Sequence, residues 1–204
     1  METILPLLFA LGIGFTHAFE ADHLIAISNI VTHRNRTKLA IKDGIFWGLG
    51  HTSTILLIGG VIILGKFLVN ESLFSYLEGV VGLLLITLGI LRMHQLLSKK
   101  EVQHHHHSSG HKVAYGVGLV HGLAGSGAVV LLALTEITGA FTEMIYLISF
   151  GAGSIVGMLI AAGLFSLPFS RKFSRIRYFQ AGMTILSSLI CIGYGSLILI
   201  DIFK

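Results

Sequence analysis

Four ionisable side chains crowd into seven residues near the start of the chain, in His17-Ala-Phe-Glu20-Ala-Asp22-His23. The surrounding stretch is otherwise apolar and long enough to span a bilayer. A carboxylate held at mid-membrane costs at least about 2.5 kcal/mol even on the lenient insertion scale, so these groups need partners, water or a bound ion. Two more histidines enter apolar segments: His51, in Gly48-Leu-Gly50-His51-Thr-Ser-Thr54, and His121, in Val120-His121-Gly122. Imidazole and carboxylate without thiolate suit Ni(II), Co(II) or Zn(II) better than Cu(I). Magnesium would want mostly oxygen ligands and retained water. The candidate metal ligands are therefore His17, Glu20, Asp22, His23, His51 and His121. The metal is read as cargo, and no cofactor is expected. Cys191 is the only cysteine, which argues against disulfide frameworks and thiol exchange within one chain.

The elements that position these groups follow from composition. Mean hydropathy is +0.84 and only 12% of residues are charged, against roughly 25% in a soluble domain. The bilayer is the implied solvent. Hydrophobic runs between charged breaks predict an all-α membrane protein of six transmembrane helices, near 4–31, 44–66, 73–97, 113–137, 141–167 and 177–200. Met1-Glu2-Thr3 offers no basic n-region, so the first segment is read as a mature helix and not a signal peptide. Of the 14 Lys and Arg, only Lys66 and Lys204 lie away from the first, third and fifth loop regions. The positive-inside rule makes that side cytoplasmic and puts both termini outside, as in a multi-pass protein of a prokaryotic cytoplasmic membrane. Topology thus accounts for the pI of 9.3, and no nucleic-acid partner is needed.

An internal repeat is also visible. Ala10-Leu-Gly12-Ile-Gly14-Phe-Thr-His17 aligns on Ala114-Tyr-Gly116-Val-Gly118-Leu-Val-His121 with four of eight positions identical, and Gly48-Leu-Gly50 aligns on Gly151-Ala-Gly153. Three helices per copy is an odd number, so the second copy enters the membrane the other way up, as an inverted repeat. The expected organisation is a first repeat over 1–97, a cytoplasmic His-rich loop over 98–112 and a second repeat over 113–204.

Depth arithmetic groups the histidines. His23, His51 and His121 each lie eight residues from an expected cytoplasmic boundary, about 12 Å inside it at ~1.5 Å per residue, so the three should share one layer near the midplane. In a regular helix His17 would sit about 9 Å further out. A turn of about 100° per residue places His17, Glu20 and His23 on one face and Asp22 away from His17. Either Asp22 orients a ligand or anchors another helix, or the helix is locally unwound; the distorted segment is the preferred expectation.

On these residues rests a resemblance. His17-x4-Asp22-His23 resembles the HX4DH signature of the nickel/cobalt transporter family, and Leu49-Gly50-His51-Thr-Ser-Thr54 resembles its second-helix motif. With the short chain and Val120-His121-Gly122-Leu123, the pattern is most similar to the UreH-like urease-accessory branch. The resemblance implies secondary transport of Ni(II) or Co(II), with His17, Asp22, His23 and His51 at the motif positions. The chain departs from it in being shorter than eight-helix members and in carrying Thr52 where Ser is more usual.

Uptake by a secondary carrier is the leading expectation, because no GxxxxGK[ST] sequence is present to draw on ATP. Export of the same metals is the closest rival. An intramembrane metalloenzyme lacks HExxH and an obvious nucleophile, so the chain is read as not an enzyme. The expected partners are the metal ion and the lipid bilayer, with room for a cytoplasmic metallochaperone. The run His104 to His107, followed by His111, is read as a loop that holds metal loosely before delivery or after entry. Trp47 and Tyr115 are read as interfacial anchors.

Overall fold

In the computed structural model the described residues are 4–32, 34, 36–65, 71–98, 107–136, 139–169 and 177–204, with backbone alone at 71–74, 107–109, 125–136 and 177. They form helices α1 (Ile4–His17), α2 (Ala21–Val31), α3 (Thr37–Gly65), α4 (Glu71–Leu97), α5 (His107–Glu136), α6 (Ala140–Ser166) and α7 (Arg177–Ile202). A 3-10 turn at Leu167–Phe169 ends α6, and no strand occurs among the described residues. The all-α expectation holds. Thr37–Gly65, Ser75–Leu97, Ala140–Phe169 and Tyr178–Ile202 are each long and apolar enough to cross a membrane. The pair α1 and α2 makes a fifth if counted as one span.

That pair departs from the single regular helix over 4–31. α1 and α2 are bent by 55° at the break over residues 18–20. The local cause is a tightened last turn, in which Phe19 N–H donates to Thr16 O (2.9 Å) and Glu20 N–H to His17 O (3.0 Å). Glu20 is then extended (φ −65°, ψ 155°) and accepts the first bond of the next helix from Leu24 N–H at 3.0 Å. The chain thus restarts as a helix at a new angle, and the preference for a distorted segment agrees with this backbone.

Two boundaries also move. α3 begins at Thr37, seven residues before the expected start at 44, and so takes in Lys38, Lys42 and Asp43. α5 begins at His107, six residues before 113, which makes His111 helical instead of part of a loop. The charged residues that the hydropathy pattern assigns to loops begin these helices, which extend past the apolar run. The rest of the expected His-rich loop, including His104 to His106, lies outside the described residues, and so do the side chains of 107–109.

Packing centres on α3, which lies against α5 on one side and α6 on the other; α1 packs on α6, and α4 on α7. Small residues set these approaches, because lipid is as apolar as Leu and helices gain most from close backbone contact. The tight contacts come in reciprocal pairs. Gly14 of α1 meets the Phe150 carbonyl of α6, and Gly118 of α5 meets the Trp47 carbonyl of α3. Gly50 of α3 faces the Tyr115 carbonyl and Leu119 amide of α5, and Gly153 of α6 faces the Leu11 carbonyl and Phe15 amide of α1. A Cβ at any of the four would run into backbone. Each residue of one contact stands 103 or 104 positions from its counterpart in the other.

Candidate metal centre

The break after α1 turns the geometry of the first motif inward. His17 ends α1, Glu20 is the residue before α2, and Asp22 and His23 occupy the first turn of α2. Instead of standing about 9 Å apart along one axis, the rings of His17 and His23 meet with centroids 4.5 Å apart. His51 comes from the middle of α3, its ring 5.2 Å from His17 and 5.1 Å from His23. His121 arrives from α5, 4.8 Å from His23. The His23 ring thus meets both the His51 ring and the His121 ring.

Carboxylates orient two of these rings. His17 Nδ1 lies 2.9 Å from Glu20 Oε1, and His23 Nδ1 lies 3.0 Å from Asp22 Oδ1. With Nδ1–H donating to a carboxylate, the lone pair of each ring sits on Nε2, the arrangement that fixes tautomer and raises basicity in metal-binding histidines. Both of those Nε2 atoms are buried and have no hydrogen-bond partner among the described residues, nor has either ring nitrogen of His51. Asp22 reaches with its second oxygen to His121 Nε2 at 3.3 Å. An unpaired buried polar atom costs about 1–3 kcal/mol, and so many in one place define a pocket of donors short of an acceptor.

The six candidates do not form one shell. His17, His23 and His51, all buried, can bring one ligand atom each within 4.8 Å of one another; Asp22, His23 and His121 form a second such group. Glu20 belongs to neither. Its side chain is 58% exposed, and its contact is with the His17 ring. Asp22 faces the His23 ring with one oxygen and His121 of α5 with the other.

Several positions carry more than the sequence suggested. Trp47, expected at the interface, is fully buried, with its ring 5.5 Å from His23 and 5.8 Å from His121. The early start of α3 places it ten residues inside the helix. Phe150 closes the other side, 5.3 Å from His17. Beside His51, Thr52 donates to Gly151 O (3.2 Å) and Thr54 to Leu119 O (2.9 Å), tying α3 to α6 and α5. Thr52 also sets its methyl against Gly151, where a Cβ would not fit.

Two turns before His51 on α3 lies a cluster that the sequence reading passed over. Asp43 is fully buried and paired through both oxygens with Arg34, by Nε to Oδ2 and by Nη2 to Oδ1 at 2.9 Å. His111 Nδ1 of α5 lies 2.6 Å from the same Oδ1, and its ring stacks on Phe46 at 5.2 Å. Its signal was an acid at the entry of an apolar segment, with an Arg nine residues earlier. Reading both as loop charges hid it.

Fold and centre together define a polytopic helical membrane protein with a buried imidazole and carboxylate cluster between its helices. The chain is 38% identical over 194 residues to the urease accessory protein UreH of Bacillus sp. (strain TB-90), covering 88% of this chain and 83% of that protein. It belongs to the UreH-like family of urease accessory proteins, in line with the resemblance carried by helices one and two. That relative is named as an accessory protein of an enzyme, in keeping with the expectation that this chain is not itself an enzyme. No family model and no solved structure matches the chain.

Proposed function

We propose that this protein is a secondary transporter that takes up Ni(II) or Co(II) across the cytoplasmic membrane. The observation that carries the reading is the trio His17, His23 and His51, buried together with ring nitrogens that have no hydrogen-bond partner among the described residues. Such a trio is costly in lipid unless a cation repays the desolvation. Two carboxylates beside it add negative charge in a medium where it is felt strongly. Kinship with a urease accessory protein and the HX4DH resemblance point to the same metals.

In this reading the chain spans the membrane six times, both termini outside, as two inverted three-helix repeats. The reciprocal glycine contacts at a shift of 103 or 104 residues support that arrangement. The dehydrated ion binds between the repeats, and rocking of one against the other exposes it to each side in turn. An ion gradient supplies the energy, and protons compete with metal for the imidazoles.

The test is accumulation of radioactive nickel and cobalt in cells expressing the chain or a His17→Ala variant at equal abundance. Wild type should raise cell metal and the variant should not. Falling cell metal would reverse the direction to export, and identical behaviour of the two proteins toward every transition metal would remove the carrier reading.

A further inference from the structure

We propose that the ion occupies two alternative positions that share His23, an all-imidazole position made by His17, His23 and His51 and a mixed position made by Asp22, His23 and His121. This rests on the transport reading and sharpens it. The ligand atoms of His17, His23 and His51 converge within 4.8 Å, and so do those of Asp22, His23 and His121, but the two sets form separate groups among the described residues. Only His23 belongs to both. Its ring touches the His17 and His51 rings on one side (4.5 and 5.1 Å) and the His121 ring on the other (4.8 Å).

The ring's two nitrogens divide the work. Nδ1 faces Asp22, whose other oxygen faces His121, so the mixed position gathers about Nδ1. Nε2, buried and without a partner among the described residues, serves the all-imidazole position. Two dications on opposite sides of one imidazole, inside a helix bundle of low dielectric, repel strongly, so the positions fill one at a time.

The placement of His17 and His121 gives the partition a direction. They stand 104 residues apart, the shift that relates the paired glycine contacts, so each comes from the corresponding helix of its half of the chain. One position therefore leans on the α1 half and the other on the α5 half. An ion moving between them leaves His17, His51 and Nε2 of His23 for Asp22, His121 and Nδ1 of the same ring, whose single proton passes from Nδ1 to Nε2 as the ion changes sides. His23 is thus the handover ligand, and neither position alone completes a passage.

Cobalt(II) is a suitable probe, because its visible absorption bands report donor set and geometry. The purified full chain in lipid nanodiscs is titrated with Co(II), beside His51→Gln, His121→Gln and His23→Gln, with size-exclusion profiles to verify folding. Wild type should bind one equivalent, with bands that are a weighted sum of those of His51→Gln and His121→Gln. Each of these two should also bind one equivalent, with bands different from the other's, and cellular cobalt accumulation should fall at least about tenfold in both. His23→Gln should lose saturable binding. If His121→Gln does not fold, Asp22→Asn replaces the carboxylate of the same position with a neutral, weakly ligating amide and should simplify the spectrum in the same way. Two equivalents in wild type, or identical spectral changes in His51→Gln and His121→Gln, would overturn the partition. So would a His121→Gln protein with wild-type bands and wild-type accumulation. A wild-type protein that transports cobalt yet fails these spectral criteria sinks this inference alone, whereas one that neither binds nor moves cobalt sinks the transport reading beneath it.

Discussion

Two clusters of charge-capable side chains among the described residues are buried alike and treated oppositely. Around Asp43 both carboxylate oxygens meet partners: Arg34 is bidentate, His111 adds a third contact, and Phe46 stacks on the imidazole. Around His51, two turns further along the same helix, the ring nitrogens are left without protein partners among the described residues. A satisfied buried network holds parts in place, and a deliberately incomplete one holds a place for something else. Burial is the same in both, since Asp43 and His51 are each 0% exposed. What separates the two clusters is the partner count of their histidine nitrogens.

The largest effect that would test this contrast lies in the satisfied cluster. Arg34→Ala leaves the buried Asp43 carboxylate with His111 as its sole remaining partner among those described, and breaking such a pair costs about 3–5 kcal/mol. The variant should unfold earlier in a thermal melt, while metal bound per folded molecule stays at the wild-type level. Unchanged stability would mean that Asp43 is not held as described.

Metal should act at the other region alone. At a free Ni(II) concentration of 100 Kd, wild type should gain about 2.7 kcal/mol of stability, seen as a higher melting temperature. His51→Leu should gain far less at the same concentration. Without metal the order should invert: replacing an imidazole whose nitrogens lack partners by an apolar side chain should leave stability unchanged or raise it by about 1–3 kcal/mol, while nickel accumulation disappears. A strong loss of stability in metal-free His51→Leu would place His51 with Asp43, among the structural groups.

The smallest effect concerns orientation. Glu20 touches His17 but belongs to neither ligand group, so Glu20→Gln should weaken nickel binding about tenfold, read as Kd by calorimetry, without abolishing it. Complete loss would make Glu20 a direct ligand.

Much of the centre was legible because membrane segments make polar residues conspicuous. Counting eight residues from each boundary grouped His23, His51 and His121, and their rings do meet. α3 and α5 begin seven and six residues earlier than the apolar runs, a nearly equal change, so His51 and His121 keep matching positions along their helices, and His23 meets both rings from the bent α2. Trp47 was lost to the early start of α3, since its depth was judged from the apolar run. For His17 the sequence leaves the place of the break open: whether a helix stays regular through Ala18, Phe19 and Glu20 depends on the helices packed around it, and periodicity carries no such information. The pairing of Asp43 with His111 is a contact between residues 68 positions apart, which spacing within one helix cannot reveal.

The interruption over residues 18–20 has an electrical consequence as well as a geometric one. A helix carries about half a positive charge at its start and half a negative charge at its finish. Dividing one rod into two creates both poles inside the helix bundle, where an unbroken rod would have neither. The negative pole of α1 falls at His17, and the positive pole of α2 falls at Asp22, steadying a carboxylate that would otherwise be dear to ionise there. The kink thus polarises the chamber before any side chain is counted.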